Sequence, residues 1–137
     1  MLVRDCMTKK VFTLPIDKKV FAAQQIMNWA HVRHIPVVDR DGRLVGIVTH
    51  RDLLGASISK IPSGIAKAEQ NQHVWGISID TIMNTNVQTI SPEATVQAAA
   101  KVMRKEKIGC LPVVSQGKLV GIVTEYDLLK IVEELKN

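Results

Sequence analysis

One run of residues occurs twice. Gly46-Ile47-Val48-Thr49-His50-Arg51-Asp52-Leu53-Leu54 returns as Gly121-Ile122-Val123-Thr124-Glu125-Tyr126-Asp127-Leu128-Leu129, and both copies read G-I-V-T-x-x-D-L-L. Each is a β-branched run that suits a strand, followed by Thr-x-x-Asp, which suits a helix start. A chain that repeats a strand-to-helix corner is constrained to fold as two similar halves.

The repeat extends well beyond the corner. With Met7 set over Met83, Val11 meets Val87, Thr13 meets Thr89, Val20 meets Val96 and Met27 meets Met103, all at an offset of 76. Pro36-Val37-Val38 meets Pro112-Val113-Val114. The offset falls to 75 where Asp39-Arg40-Asp41-Gly42 faces the shorter Ser115-Gln116-Gly117, and it holds at 75 through both corners. One residue lost in a hairpin turn is what a duplication tolerates. Two copies are too few for a solenoid, so the pattern predicts two similar halves packed face to face about a pseudo-two-fold axis.

Each half reads β-α-β-β-α, an α/β (α+β) order. Short extended runs open the halves at Val11-Phe12-Thr13-Leu14 and Val87-Gln88-Thr89-Ile90. In the second half Ser91 suits a helix cap, Pro92 the first turn and Glu93 the positive end of the helix dipole. Val96, Ala99, Ala100 and Met103 then share one helical face. The first half offers Asp17 as an acidic start, then Val20, Ala23 and Met27. Two strands follow in each half, joined through Asp41-Gly42 and through Gln116-Gly117. Pro36 and Pro112 are expected at strand starts or edges, because proline cannot donate to a ladder. Leu128, Ile131, Val132 and Leu135 predict the buried stripe of the closing helix. The division is 1–56 for the first repeat, 57–78 for a connector and 79–137 for the second. The connector holds Pro62, Ser63, Gly64, a polar patch from Glu69 to His73, and Trp75, expected to pack on the surface.

Composition narrows the function classes. Of 137 residues, 46% are apolar and only 4% aromatic, so the core must be aliphatic. No apolar run reaches membrane-spanning length, and Met1-Leu2-Val3-Arg4-Asp5 lacks the apolar core of a signal peptide. The expectation is a soluble, cytoplasmic protein without a membrane partner. The formal charge is +5. Its basic residues are scattered among acids, and no basic stripe with aromatics or helix motif points to nucleic acid. Cys6 and Cys110 have no CxxC spacing and no companion His motif, so they read as small apolar residues, with neither a metal site nor a disulfide. His31, His34, His50 and His73 form no nucleophile–base arrangement with Cys or Ser in sequence, and no P-loop is present. No catalytic residues are assigned, and the chain is not read as an enzyme.

These residues resemble the tandem cystathionine-β-synthase (CBS) domain pair, or Bateman module. The resemblance is carried by Met7-Thr8 and Met83-Asn84 ahead of the first strands, by Pro-Val-Val after Ile35 and after Leu111, and by the two corners. It covers nearly the whole chain except the connector. It implies that the two β-α-β-β-α repeats pack through their sheets and leave two symmetry-related clefts that bind adenosine-containing ligands such as AMP, ADP, ATP or S-adenosylmethionine, with no required cofactor, and that the module regulates an effector protein. It also implies homodimers. Carried over residue by residue, Thr49, His50, Arg51 and Asp52 would face a base pocket from Val87, Ile108, Gly109, Cys110 and Pro112. Thr124 and Asp127 would face Val11, Val32, Arg33, His34 and Pro36.

The chemistry of the corner suits such a ligand. Thr-x-x-Asp is close to a capping box, which alone would explain it structurally. The same geometry exposes helix N–H groups to phosphate and a carboxylate to the two hydroxyls of a ribose. The first cleft has His50 and Arg51 where phosphate would lie, and small Gly109 and Cys110 at the base. The second has Glu125, which would repel phosphate, and bulkier Arg33 and His34. The Asp52 cleft is therefore expected to be the better nucleotide site. The competing reading is a dimerisation or interaction scaffold with empty clefts, supported by apolar helix positions Ala22, Ala23, Ile26, Met27, Ile131, Val132 and Leu135.

Overall fold

The computed structural model describes residues 1–59 and 76–136. Trp75, the patch from Glu69 to His73 and most of the connector lie outside the described residues. In chain order the elements are α1 (Val3–Cys6), β1 (Leu14–Pro15), α2 (Val20–Ala30), β2 (His34–Val38), β3 (Leu44–Thr49), α3 (His50–Ser59), α4 (Ile79–Ile82), α5 (Val96–Glu106), β4 (Cys110–Ser115), β5 (Lys118–Thr124) and α6 (Glu125–Glu134). No helix among the described residues is long and apolar enough to cross a membrane.

Two compact units form, and they cut across the repeats. One unit is Phe12–Val87; the other joins Met1–Val11 to Gln88–Asn137. The short lead segment ahead of each repeat thus packs with the other repeat's helices and strands. In the Phe12–Val87 unit, Val20 N–H donates to the Ile77 carbonyl (2.9 Å) and Ile79 N–H to the Lys18 carbonyl (2.9 Å). In the other unit, Val96 N–H donates to the Met1 carbonyl (3.0 Å) and Val3 N–H to the Ala94 carbonyl (2.8 Å). These bonds satisfy backbone groups that a helix start leaves without internal partners.

Each unit is built around one aliphatic cluster. In Phe12–Val87 the buried members include Val20, Ala23, Met27, Ile35, Val37, Val48 and Ile79. In the other they are Val3, Ala99, Met103, Leu111, Val113 and Val123. Burying each of the larger side chains contributes about 1.5–3 kcal/mol before entropy is counted. Ile79 and Val3, the anchors of the exchanged segments, are completely buried.

Strand β2 pairs antiparallel with β3 and parallel with β1 in one three-stranded sheet; β4 and β5 form an antiparallel pair. The hairpins turn where the sequence predicts. Gly42 has φ +78° and Gly117 φ +79°, backbone that L side chains rarely adopt. Asp39 Oδ1 accepts from Asp41 N–H (2.9 Å) and Arg43 N–H (3.0 Å), which fastens the first turn.

Several expectations need correction. The opening strands are shorter than the extended runs: β1 is only Leu14–Pro15, and in the second half a single bridge joins Ile90 to Val113. The helix after it begins at Val96, not near Ser91, because Thr95 is the working cap: its Oγ1 accepts from Ala98 N–H (3.1 Å). Ser91 instead serves a local turn, accepting from Glu93 N–H (3.2 Å) and donating to its carboxylate (2.6 Å). The first half likewise starts at Val20 rather than at Asp17.

Pro36 and Pro112 lie inside β2 and β4, not at their ends. The second half shows why this is tolerated. The Pro112 carbonyl accepts from Ile90 N–H (3.0 Å) and the Ile90 carbonyl accepts from Val114 N–H (3.0 Å). Pairing on that side therefore begins at the proline's own carbonyl, and its missing N–H has no partner to lose.

The predicted stripe of the closing helix is also corrected. Leu128 packs on the core, but Val132 and Leu135 are 62% and 67% exposed, and Leu135 lies beyond the helix end. Ala100 is exposed as well, although Ala99 and Met103 on the same helix are buried.

Candidate functional site

The hairpins place the two Thr-x-x-Asp corners. Strand β3 ends at Thr49, opposite His34 at the start of β2. There His50 N–H donates to the Arg33 carbonyl (2.9 Å). Strand β5 ends at Thr124 opposite Cys110, and Glu125 N–H donates to the Gly109 carbonyl (3.0 Å). So Thr49, Asp52, Arg33 and His34 come together in one unit, and Thr124, Asp127, Gly109 and Cys110 in the other. Val87 belongs to the unit of Thr49, and Val11 to the unit of Thr124.

Each corner closes a reciprocal capping box. Thr49 N–H donates to Asp52 Oδ2 (2.8 Å), and Asp52 N–H donates to Thr49 Oγ1 (3.2 Å). Thr124 N–H donates to Asp127 Oδ2 (2.9 Å), and Asp127 N–H to Thr124 Oγ1 (3.4 Å). The boxes hold both carboxylates rigid and half-buried at a helix start. They also use helix N–H groups. In the first turn of α3 the His50 and Asp52 N–H groups are thereby engaged. The side chains of His50 and Arg51 are exposed, as are those of Glu125 and Tyr126.

The two carboxylates differ in what they already hold. Asp127 Oδ2 accepts a second bond, from Thr124 Oγ1 (3.2 Å), and Oδ1 accepts from the Thr8 hydroxyl (3.2 Å). Asp52 Oδ1 accepts no such bond among the described residues. Thr8 was no part of the expected site. Its signal in the sequence is its alignment with Asn84, a difference directly after the matched Met7 and Met83.

The base-pocket candidates are placed as follows. Pro36 and Pro112 are fully buried, Val32 and Ile108 pack partly on the cores of their own units, and Val11 and Val87 are half-buried. Arg33 is exposed and His34 half-buried. Cys110 is 6% exposed, and burial, with a smaller push from the Glu125 carboxylate, raises its thiol to about 12. It is a neutral packing group at neutral pH. Cys6 is also raised, by burial first and then by Asp127 and Asp5. No group of three or more His, Cys, Asp or Glu suited to a metal ion occurs among the described residues.

Comparison with known proteins agrees with this architecture. The family model for the CBS domain matches residues 3–59 and again residues 79–134. A CBS domain-containing protein of Dictyostelium discoideum is 37% identical over 131 residues, covering 94% of this chain and 89% of that one. The crystal structure of the CBS domain pair of protein MJ0100, in complex with 5′-methylthioadenosine and S-adenosyl-L-methionine, is 29% identical. Its TM-score is 0.85, with 99% of this chain and 98% of that chain covered. The structure of CBSX2 in complex with AMP, at 23% identity, shares the fold with a TM-score of 0.83 over 99% of each chain. Other relatives are much longer: the chain spans 24% of the homoserine O-acetyltransferase of Methanococcoides burtonii, at 32% identity.

Proposed function

The chain belongs to the CBS-domain family as a tandem pair, and from that premise we propose that it is a regulatory module for an adenosine-containing ligand: AMP, ADP, ATP or S-adenosylmethionine. The observation that carries this is Asp52, a half-buried carboxylate held at a helix start, whose Oδ1 accepts no hydrogen bond among the described residues. A carboxylate so fixed suits the two hydroxyls of a ribose. The adenosyl ligands in the MJ0100 pair, at 29% identity, support the ligand class.

The preferred site takes Thr49, His50, Arg51 and Asp52, with Val87, Ile108, Gly109, Cys110 and Pro112 for the base. Thr124 and Asp127, with Val11, Val32, Arg33, His34 and Pro36, form the weaker one. His50 and Arg51 favour phosphate where Glu125 opposes it. The bound state is reported to an effector protein. Titration calorimetry with the four ligands tests this on wild type and Asp52→Asn, which keeps an acceptor for Thr49 N–H but removes the charge. Tight binding of one ligand that weakens at least tenfold in the variant is expected. Silence with all four sinks the reading.

A second reading rests on a separate observation. An apolar groove of about 340 Å³ runs between α5 and α6, lined by Ala100, Met103, Ile108, Leu128, Leu129 and Val132 and flanked by Arg104 and Glu125. Leu129 and Val132 are 66% and 62% exposed. Such a face suits homodimer formation. Sedimentation of wild type and Leu129→Glu at micromolar concentration tests it; a wild-type monomer removes it.

A further inference from the structure

The two repeats hold equivalent carboxylates, but the residue that meets them is not equivalent. Thr8 and Asn84 occupy matching backbone sites. Thr8 N–H donates to the Ile122 carbonyl (2.8 Å) and Ile122 N–H to the Thr8 carbonyl (2.9 Å). Asn84 N–H donates to the Ile47 carbonyl (2.9 Å) and Ile47 N–H to the Asn84 carbonyl (3.0 Å). Only the side chains diverge. The Thr8 hydroxyl reaches Asp127 Oδ1, whereas Asn84 turns away, its Oδ1 accepting from Asn86 N–H (3.0 Å).

From this we infer that Thr8 determines whether the second repeat's carboxylate is open to ligand, its hydroxyl competing with a vicinal diol for Asp127. A carboxylate offers about four acceptor positions. On Asp127, Thr124 N–H and Oγ1 take two on Oδ2 and Thr8 takes one on Oδ1. A ribose presenting two O–H donors needs two, so Thr8 must release its hold before the diol can be gripped in full. Among the described residues the Asp52 carboxylate accepts one bond, from Thr49 N–H, and asks for no such release. The asymmetry of the pair thus lies in the lead segment as well as in the charges at positions 50, 51 and 125.

The inference rests on the adenosyl reading, and its test separates the two. AMP is titrated by calorimetry into Asp52→Asn, which isolates Asp127, and into that background with Thr8→Val or Thr8→Ser. Valine keeps the β-branched shape and both backbone bonds but removes the hydroxyl; serine keeps the hydroxyl. Valine is expected to tighten binding about fivefold, the worth of one net hydrogen bond, and serine to leave it unchanged. In an Asp127→Ala background, Asn84→Thr is expected to weaken binding by a similar factor. Thermal melts confirm that each variant is folded. Unchanged or weaker binding in the valine variant, or none in either protein, overturns the role of Thr8. If Asp52→Asn/Asp127→Ala binds AMP as wild type does, the adenosyl reading itself falls, and Thr8 with it.

Discussion

A Cβ added to Gly121 would lie 2.7 Å from the sulfur of Met7 and 3.0 Å from the carbonyl oxygen of Thr8. Gly46 stands the same way against Met83, with 2.6 Å to its sulfur and 3.2 Å to the Asn84 carbonyl oxygen. The sulfur can swing aside, but the carbonyls are fixed by their bonds to Ile122 and Ile47. Gly121→Ala and Gly46→Ala should each cost about 1–3 kcal/mol in urea unfolding. Gly55→Ala, with open space around its Cβ in α3, should instead be neutral or stabilise by up to about 1 kcal/mol.

The exchanged segments predict where a core mutation is felt. Ile79→Ala should cost about 2–5 kcal/mol, and Val3→Ala about 1.5–3 kcal/mol. In amide hydrogen exchange, Ile79→Ala should speed exchange in α2, β2 and β3, and Val3→Ala in α5, β4 and β5. The reverse pattern would contradict the packing.

Thr95 caps α5 and Thr49 caps α3, so Thr95→Ala and Thr49→Ala should each lower stability by about 1 kcal/mol. Thr95→Ser should restore most of it. Denaturant midpoints at constant slope would check both.

Cys110 should stay unmodified by iodoacetamide in the folded protein at neutral pH and react on unfolding, because its buried thiol is held protonated. The sign of the pH effect follows. The folded thiol is raised to about 12 from an ordinary 9.0, so its contribution is intact below pH 9. Above that the unfolded state loses the proton first, and stability falls as pH rises. Relative to Cys110→Ala, wild type should lose about 1.4 kcal/mol per pH unit between the two values. Parallel stability curves would exclude this.

The duplication made the architecture readable. The hairpin turns at Gly42 and Gly117, the corners at Thr49 and Thr124, and the buried Val20, Ala23 and Met27 stand where the pattern puts them. What the pattern could not carry was pairing between distant segments. Val3 and Ile79 look alike locally; nothing in their neighbours says that each packs in the other repeat's unit. Thr95 lost to Ser91 as the expected cap because both precede plausible helices, and only the bond to Ala98 decides. Apolar spacing named Leu128 and Val132 together, yet spacing marks a helical face without saying whether anything covers it. Of the corner itself, the capping boxes were foreseeable from Thr-x-x-Asp. The Thr8 hydroxyl on Asp127 was not, since 119 residues separate the pair.

The crossing of the lead segments sets the order in which this polypeptide can mature as it is made. Phe12–Val87 has all its parts once residue 87 has emerged. Met1–Val11, although synthesised ahead of that unit, must wait for β5 and α6, which follow on its far side. A nick in the connector would therefore not yield two self-sufficient fragments: each would still carry a piece that completes the other.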